Sequence, residues 1–164
     1  HFGDKDALFL AAVESYCDAQ VPTALFTPAP DQPLRHRLVG VARAVYALMA
    51  SPDAVAGFRM MCSQASATGT LPDRFWDAGA GHLQAGFAGL LARRTAAGEL
   101  AIDDPARAAS QFFALLRGDL HPRMIIGCCG CRDADVDAHI DATVDLFLRA
   151  YAPAGAAQGR QPAR

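Results

Sequence analysis

Apolar residues recur along this chain at intervals of three and four, the spacing that lines one face of an α-helix. From Asp4 to Phe26 the stripe is Leu8, Val13, Tyr16 and Cys17, with Asp4 as the N-cap and Pro22 as the point where the helix kinks or ends. Three prolines between Thr27 and Pro33 make a loop. Asp31 reads as the cap of a second helix reaching about Ala50, with Leu34, Leu38, Val41, Val45 and Leu48 on one side. Ser51-Pro52 sets a capping hydroxyl before a first-turn proline. The helix it opens carries Val55, Phe58, Met61 and Cys62 to about Ala67.

After a turn at Thr68 to Pro72, a short helix holds Phe75 and Trp76. A longer one holds Leu83, Phe87, Leu90 and Leu91 and stops at Gly98. Asp104-Pro105 repeats the cap-plus-proline signal for a helix to about Ile126, with Phe112, Phe113, Leu116 and Leu120 inward. Pro122 predicts a kink between Gly118 and His121. A loop from Gly127 to Arg132 precedes a last helix, from Asp133 to just before Pro153. Its Asp137, Asp141 and Asp145, at i, i+4 and i+8, read as a solvated acidic stripe. The tail from Pro153 to Arg164 is small and polar and is expected to be disordered.

Composition agrees with an all-α fold. The chain holds 35 Ala and 16 Leu against 12 Val plus Ile, and no Asn-Gly or Asp-Gly hairpin signal. At 164 residues the expectation is one helical domain. No apolar run approaches the roughly 18 residues of a membrane span. The net charge of −2 is not that of a nucleic-acid binder as a whole. No P-loop, G-x-S-x-G or His-Glu-x-x-His motif is present, so no enzyme, cofactor or metal site is expected. Five cysteines, Cys17, Cys62, Cys128, Cys129 and Cys131, suit a reducing cytoplasm. The Cys128-Cys129-Gly130-Cys131 cluster leaves a redox- or metal-responsive regulator open as the alternative function.

One resemblance is specific. His1-Phe2-Gly3-Asp4-Lys5-Asp6-Ala7-Leu8-Phe9 resembles the end of the helix-turn-helix, and the start of the following helix, in TetR-family transcriptional regulators. Gly98-Glu99-Leu100 to Asp119 and the ending ATVDLFLRAY (142–151) resemble the ligand-binding domain of the AefR-like subgroup. The resemblance implies that residues 1–3 close a DNA-binding unit whose greater part precedes His1. Residues 4–152 would form the ligand-binding and dimerisation domain, and 153–164 the tail. His1 and Lys5 match positions that meet the DNA backbone. Lys5, in the first turn of a helix, would face a phosphate together with free N–H groups.

The same resemblance implies a homodimer built on the last two helices. The sequence supports this, because Val136, Ile140, Val144, Phe147 and Tyr151 recur at helical spacing while Leu146 and Leu148 widen the apolar arc. Phe112 and Leu120 are the interface candidates on the preceding helix. The middle helices would enclose a pocket for a small, largely apolar effector. Its candidate lining is Tyr16, Phe58, Met61, Cys62, Trp76, Phe87, Leu91, Phe113, Leu116 and Arg117, with Arg117 or His121 holding an anionic or polar end and Phe75 and Trp76 as a gate. The implied function is a cytoplasmic one-component repressor that releases operator DNA when its effector binds.

Overall fold

In the computed structural model, which describes residues 2–27, 32–63, 70–128 and 135–154, proline and glycine decide where helices stop. Helix α1 (Phe2–Gln20) ends with the Val21 N–H on the Cys17 carbonyl at 2.8 Å, because Pro22 has no N–H to carry the ladder on. A 3-10 turn at Thr23–Leu25 follows. Helix α2 (Leu34–Ala50) starts after Pro33, later than a cap at Asp31 would place it, and no side chain caps it. Ser51 then does what the sequence predicts. Its Oγ accepts the Ala54 N–H at 3.2 Å, and α3 (Pro52–Ser63) leaves α2 at 61°.

Helix α4 (Leu71–Trp76), a π-helical turn (Asp77–Gly81) and α5 (His82–Ala96) run on without an intervening loop, where the sequence predicts two separate helices. The wide turn falls on the glycine-bearing segment, whose small side chains tolerate it. Gly98, at φ +77°, ends α5 in a Schellman arrangement: its N–H bonds Thr95 O and that of Glu99 bonds Arg94 O.

Asp104 caps α6 (Pro105–Arg117), its carboxylate accepting the Arg107 N–H at 3.0 Å. The kink expected near Pro122 is a complete break. Gly118 takes φ +49° and ψ −149°, a conformation open in practice only to glycine, and a new helix α7 (Leu120–Ile126) begins beyond it. Pro122 thus lies in a first turn, where a missing N–H costs little. Asp135 caps α8 (Val136–Ala150) through the Ala138 N–H at 3.0 Å; Asp133 lies outside the described residues.

Helices α5, α6 and α8 pack around Phe87, which has no exposed surface. Its ring meets those of Phe112 at 4.8 Å, Phe113 at 5.6 Å, and Phe26 and Phe147 at 6.5 Å. Leu38, Val41, Ala42 and Val45 of α2 complete this core. Two arginines tie the chain after α1 to it. Arg37 donates to Thr27 O at 2.7 Å, and Arg93 donates to Phe26 O. The acidic stripe of α8 is not simply solvated. Arg35 of α2 holds Asp141 and Asp145, each at 2.9 Å, and Arg43 holds Asp137 at 3.1 Å. The Arg35 hydrogen bond keeps the Asp145 carboxyl below the usual carboxylate range. These half-exposed pairs set which edge of α8 faces α2 more than they stabilise the fold.

An alanine inside a helix is ordinarily about 1 kcal/mol better than glycine. At Gly86 a Cβ would lie 2.7 Å from Cδ2 of Phe26, a buried ring whose carbonyl Arg93 holds. Gly86→Ala is therefore expected to destabilise the protein, by about 1–3 kcal/mol, read as a lower urea midpoint. A raised midpoint would show that Phe26 yields freely.

Candidate functional site

On the other side of α2 and α6 the facing side chains are small. Ala12 of α1, Ala54 and Gly57 of α3, and Gly79 and Ala80 of the π turn do not meet across the bundle, and a cavity of about 320 Å³ remains. Val45, Leu48 and Met49 of α2, Leu83 of α5 and Phe113 of α6 form its floor. Phe9, Val13, Tyr16, Phe58, Phe75 and Trp76 form its walls. The Phe9 and Phe75 rings lie nearly parallel, 9° apart in plane with centroids 6.0 Å apart, so α1 and α4 share one aromatic wall.

Few polar groups reach this space. The Tyr16 hydroxyl donates to Ser51 Oγ at 3.2 Å. Cys17 lines the cavity, but burial, with Asp18 nearby, pushes its thiol up, so it is a poor nucleophile. Asp53 enters from the first turn of α3 and Gln84 from α5. Arg117 and His121 enter together from either side of the α6–α7 break. No carboxylate among the described residues pairs with Arg117. His121 is buried edge-on against Phe58, with ring centroids 5.5 Å apart. Burial, then the charge of Arg117, hold its imidazole below the ordinary histidine pKa.

Of the residues expected to line a pocket, Tyr16, Phe58, Trp76, Phe113 and Arg117 do line this one. Phe87, Leu91 and Leu116 do not, because they are fully buried in the core behind it. Met61 and Cys62 do not either: α3 presents Asp53, Ala54, Gly57 and Phe58, and the next turn runs past the cavity, leaving Met61 buried elsewhere and Cys62 exposed. Periodicity alone missed Phe9, Val13, Met49, Asp53 and Gln84. The signal for them is the set of small residues on faces that otherwise carry aromatics.

The interface candidates need correction. Phe112, Ile140, Val144 and Phe147 are buried in the protomer's own core and present nothing to a second subunit. Leu120, Val136 and Tyr151 pack partly against the same core, and the Tyr151 hydroxyl donates to Gln111 Oε1 at 2.6 Å. The outward surfaces of α6 and α8 carry Leu115 and Leu146 instead, 39% and 45% exposed, with Ala138 and Ala142 beside Leu146. Lys5 is exposed in the first turn of α1, and His1 lies outside the described residues. So do Cys129 and Cys131. Cys128 is exposed, and among the described residues no group of three His, Cys, Asp or Glu could hold a metal.

The depressed His121 pKa predicts a pH dependence of stability. As pH falls, the unfolded chain takes up this proton first. Stability is therefore complete above about pH 6.5 and is lost progressively below it, until the folded-state imidazole also protonates. The urea midpoint should fall more between pH 7 and pH 5 in the native protein than in His121→Gln. Equal slopes would show that the folded imidazole titrates freely.

Comparison with known proteins places this helical body. Residues 36–153 match the family described as AefR-like transcriptional repressor, C-terminal domain. No curated protein sequence matches the chain. The fold is similar to the flavonoid-responsive regulator FrrA, with a TM-score of 0.77 and 26% identity over 92% of this chain and 76% of that one. It is also similar to a TetR transcriptional regulator from Agrobacterium tumefaciens, with a TM-score of 0.71 and 27% identity over 93% and 75%. A TetR-family regulator from Mesorhizobium loti shares the fold at a TM-score of 0.75 and 21% identity over 92% and 73%. Among the described residues no single helix is long and apolar enough to cross a membrane. The chain belongs to the AefR-like branch of the TetR family, a family of transcriptional regulators and not of enzymes.

Proposed function

We propose that this chain is the effector-sensing and dimerising body of a cytoplasmic one-component repressor, whose cavity takes a small, flat aromatic effector and whose dimer releases operator DNA when the cavity fills. The carrying observation is the 320 Å³ cavity itself, which lies within the size range of small-molecule sites and has α1 as one wall. Stacked rings at Phe9 and Phe75 with Trp76 beside them suit a planar ligand. The flavonoid response in the name of FrrA, at 26% identity, supports an aromatic effector class.

Helix α1 is the link between effector and DNA. Phe9, Ala12, Val13, Tyr16 and Cys17 wall the cavity, while Lys5, one turn earlier, faces solvent for a DNA phosphate. A ligand that binds one position of α1 better than another shifts the population toward it, and with it the DNA affinity. The dimer would form on the outward faces of α6 and α8. Ala138 and Ala142 let a partner helix approach closely, and Leu115 and Leu146 supply apolar surface.

Trp76 is the sole tryptophan and lines the cavity, so its fluorescence reports occupancy. Titration with naringenin or 2-acetylnaphthalene is expected to quench it saturably. Ala54→Phe, which puts a ring into the void, should weaken binding at least about tenfold without lowering thermal stability. Equal affinity in both proteins would place the ligand elsewhere and sink the reading. For the dimer, Leu146→Glu should shift sedimentation toward the 17.3 kDa protomer with helical content unchanged. An unchanged dimer would exclude that face.

A further inference from the structure

The basic groups of this largely apolar cavity stand together at one corner, where α6 breaks into α7. Arg117 lies in the last turn of α6 and His121 in the first turn of α7, and both line the void. The Arg117 guanidinium offers five N–H donors in a fixed fork, and no described residue accepts from it. A half-buried guanidinium without a partner is poised for a planar anion, which it binds through two parallel hydrogen bonds.

His121 completes the corner. Its ring is fixed edge-on by Phe58, and no described residue bonds its nitrogens. The charged and titratable groups that face the cavity with it are Arg117, Asp53, Tyr16 and Cys17. Burial and Arg117 keep the imidazole neutral at pH 7, so it donates one hydrogen bond without adding charge. Asp53, the one carboxylate among the cavity-lining residues, stands at the first turn of α3.

Resting on the cavity reading above, we infer that the effector is an aromatic carboxylic acid, bound with its ring system against Phe9, Phe58, Phe75 and Trp76 and its carboxylate on Arg117 and His121. The carboxylate supplies the fork's missing acceptors, and the neutral imidazole supplies one more donor. Neutral aromatics of the same shape fill the same space but leave the guanidinium unpaired.

The test is a matched pair of probes, 2-naphthoate and its neutral isostere 2-naphthamide, titrated against the full chain at pH 7.5 by calorimetry and Trp76 fluorescence. Naphthoate is expected to bind at least about tenfold more tightly than the amide. In Arg117→Met that preference should collapse to within about twofold, and in Arg117→Lys, which keeps a point charge without the fork, part of it should remain. Thermal melts of both variants confirm that they fold. If the two probes bind equally, or if Arg117→Met keeps the preference, the acid inference is overturned while the cavity reading stands. If neither probe binds, nor naringenin nor 2-acetylnaphthalene, both are overturned.

Discussion

The contact on which this arrangement depends is the burial of the Phe87 ring. Phe26, the adjacent Phe112 and Phe113, and Phe147, from three different parts of the chain, all converge on it. Close packing there fixes α5, α6 and α8 relative to one another and leaves little room for adjustment. The helices on the far side of α2 and α6 cannot move in to compensate. They are held off by ring-sized walls, and the residues between those walls are alanine and glycine. The void is thus the remainder of a well-filled core, and Phe113 belongs to both, stacked on Phe87 and forming part of the cavity floor.

Much of the fold was legible in the sequence because helix ends are local chemistry. Ser51-Pro52, Asp104-Pro105 and Gly98 each state a start or stop within a few residues, and each does so in the structure. What was not legible depended on partners distant in sequence. Phe87, Leu91 and Leu116 look no different from pocket residues in a helical stripe, and only their burial behind Phe113 separates them. The same holds for Val144 and Phe147. An apolar residue on a terminal helix has either its own core or another subunit as a partner, and periodicity does not choose. Charge was equally ambiguous: Asp141 and Asp145 read as solvated until Arg35 of α2 is found against them.

The break between α6 and α7 shows one residue setting the chemistry of another. Had α6 continued through Gly118, Arg117 and His121 would lie on one helix separated by a single turn. The glycine turns the chain, and His139 of α8 seals the corner, its ring 3.2 Å from where a Gly118 Cβ would be and bonded to Leu116 O. Arg59 of α3 then holds the other end of α7, donating to Met124 O and Ile125 O at 2.7 Å each. So α7 is short but pinned at both ends, and the histidine it carries is presented at a fixed angle.

The arginine clamp on the chain after α1 has a mechanical consequence. Arg37 and Arg93 fasten residues 24–27 to the core, so α1 is a stiff rod anchored just beyond its C-terminal end. With a rise of about 1.5 Å per residue, Val13 stands roughly 12 Å from a pivot at Val21, and Phe2 roughly 28 Å. A sideways push of about 1 Å at Val13 therefore swings the far end by more than 2 Å. The pivot supplies gain: a change too small to disturb the packing around Phe87 is more than doubled at the tip of the rod.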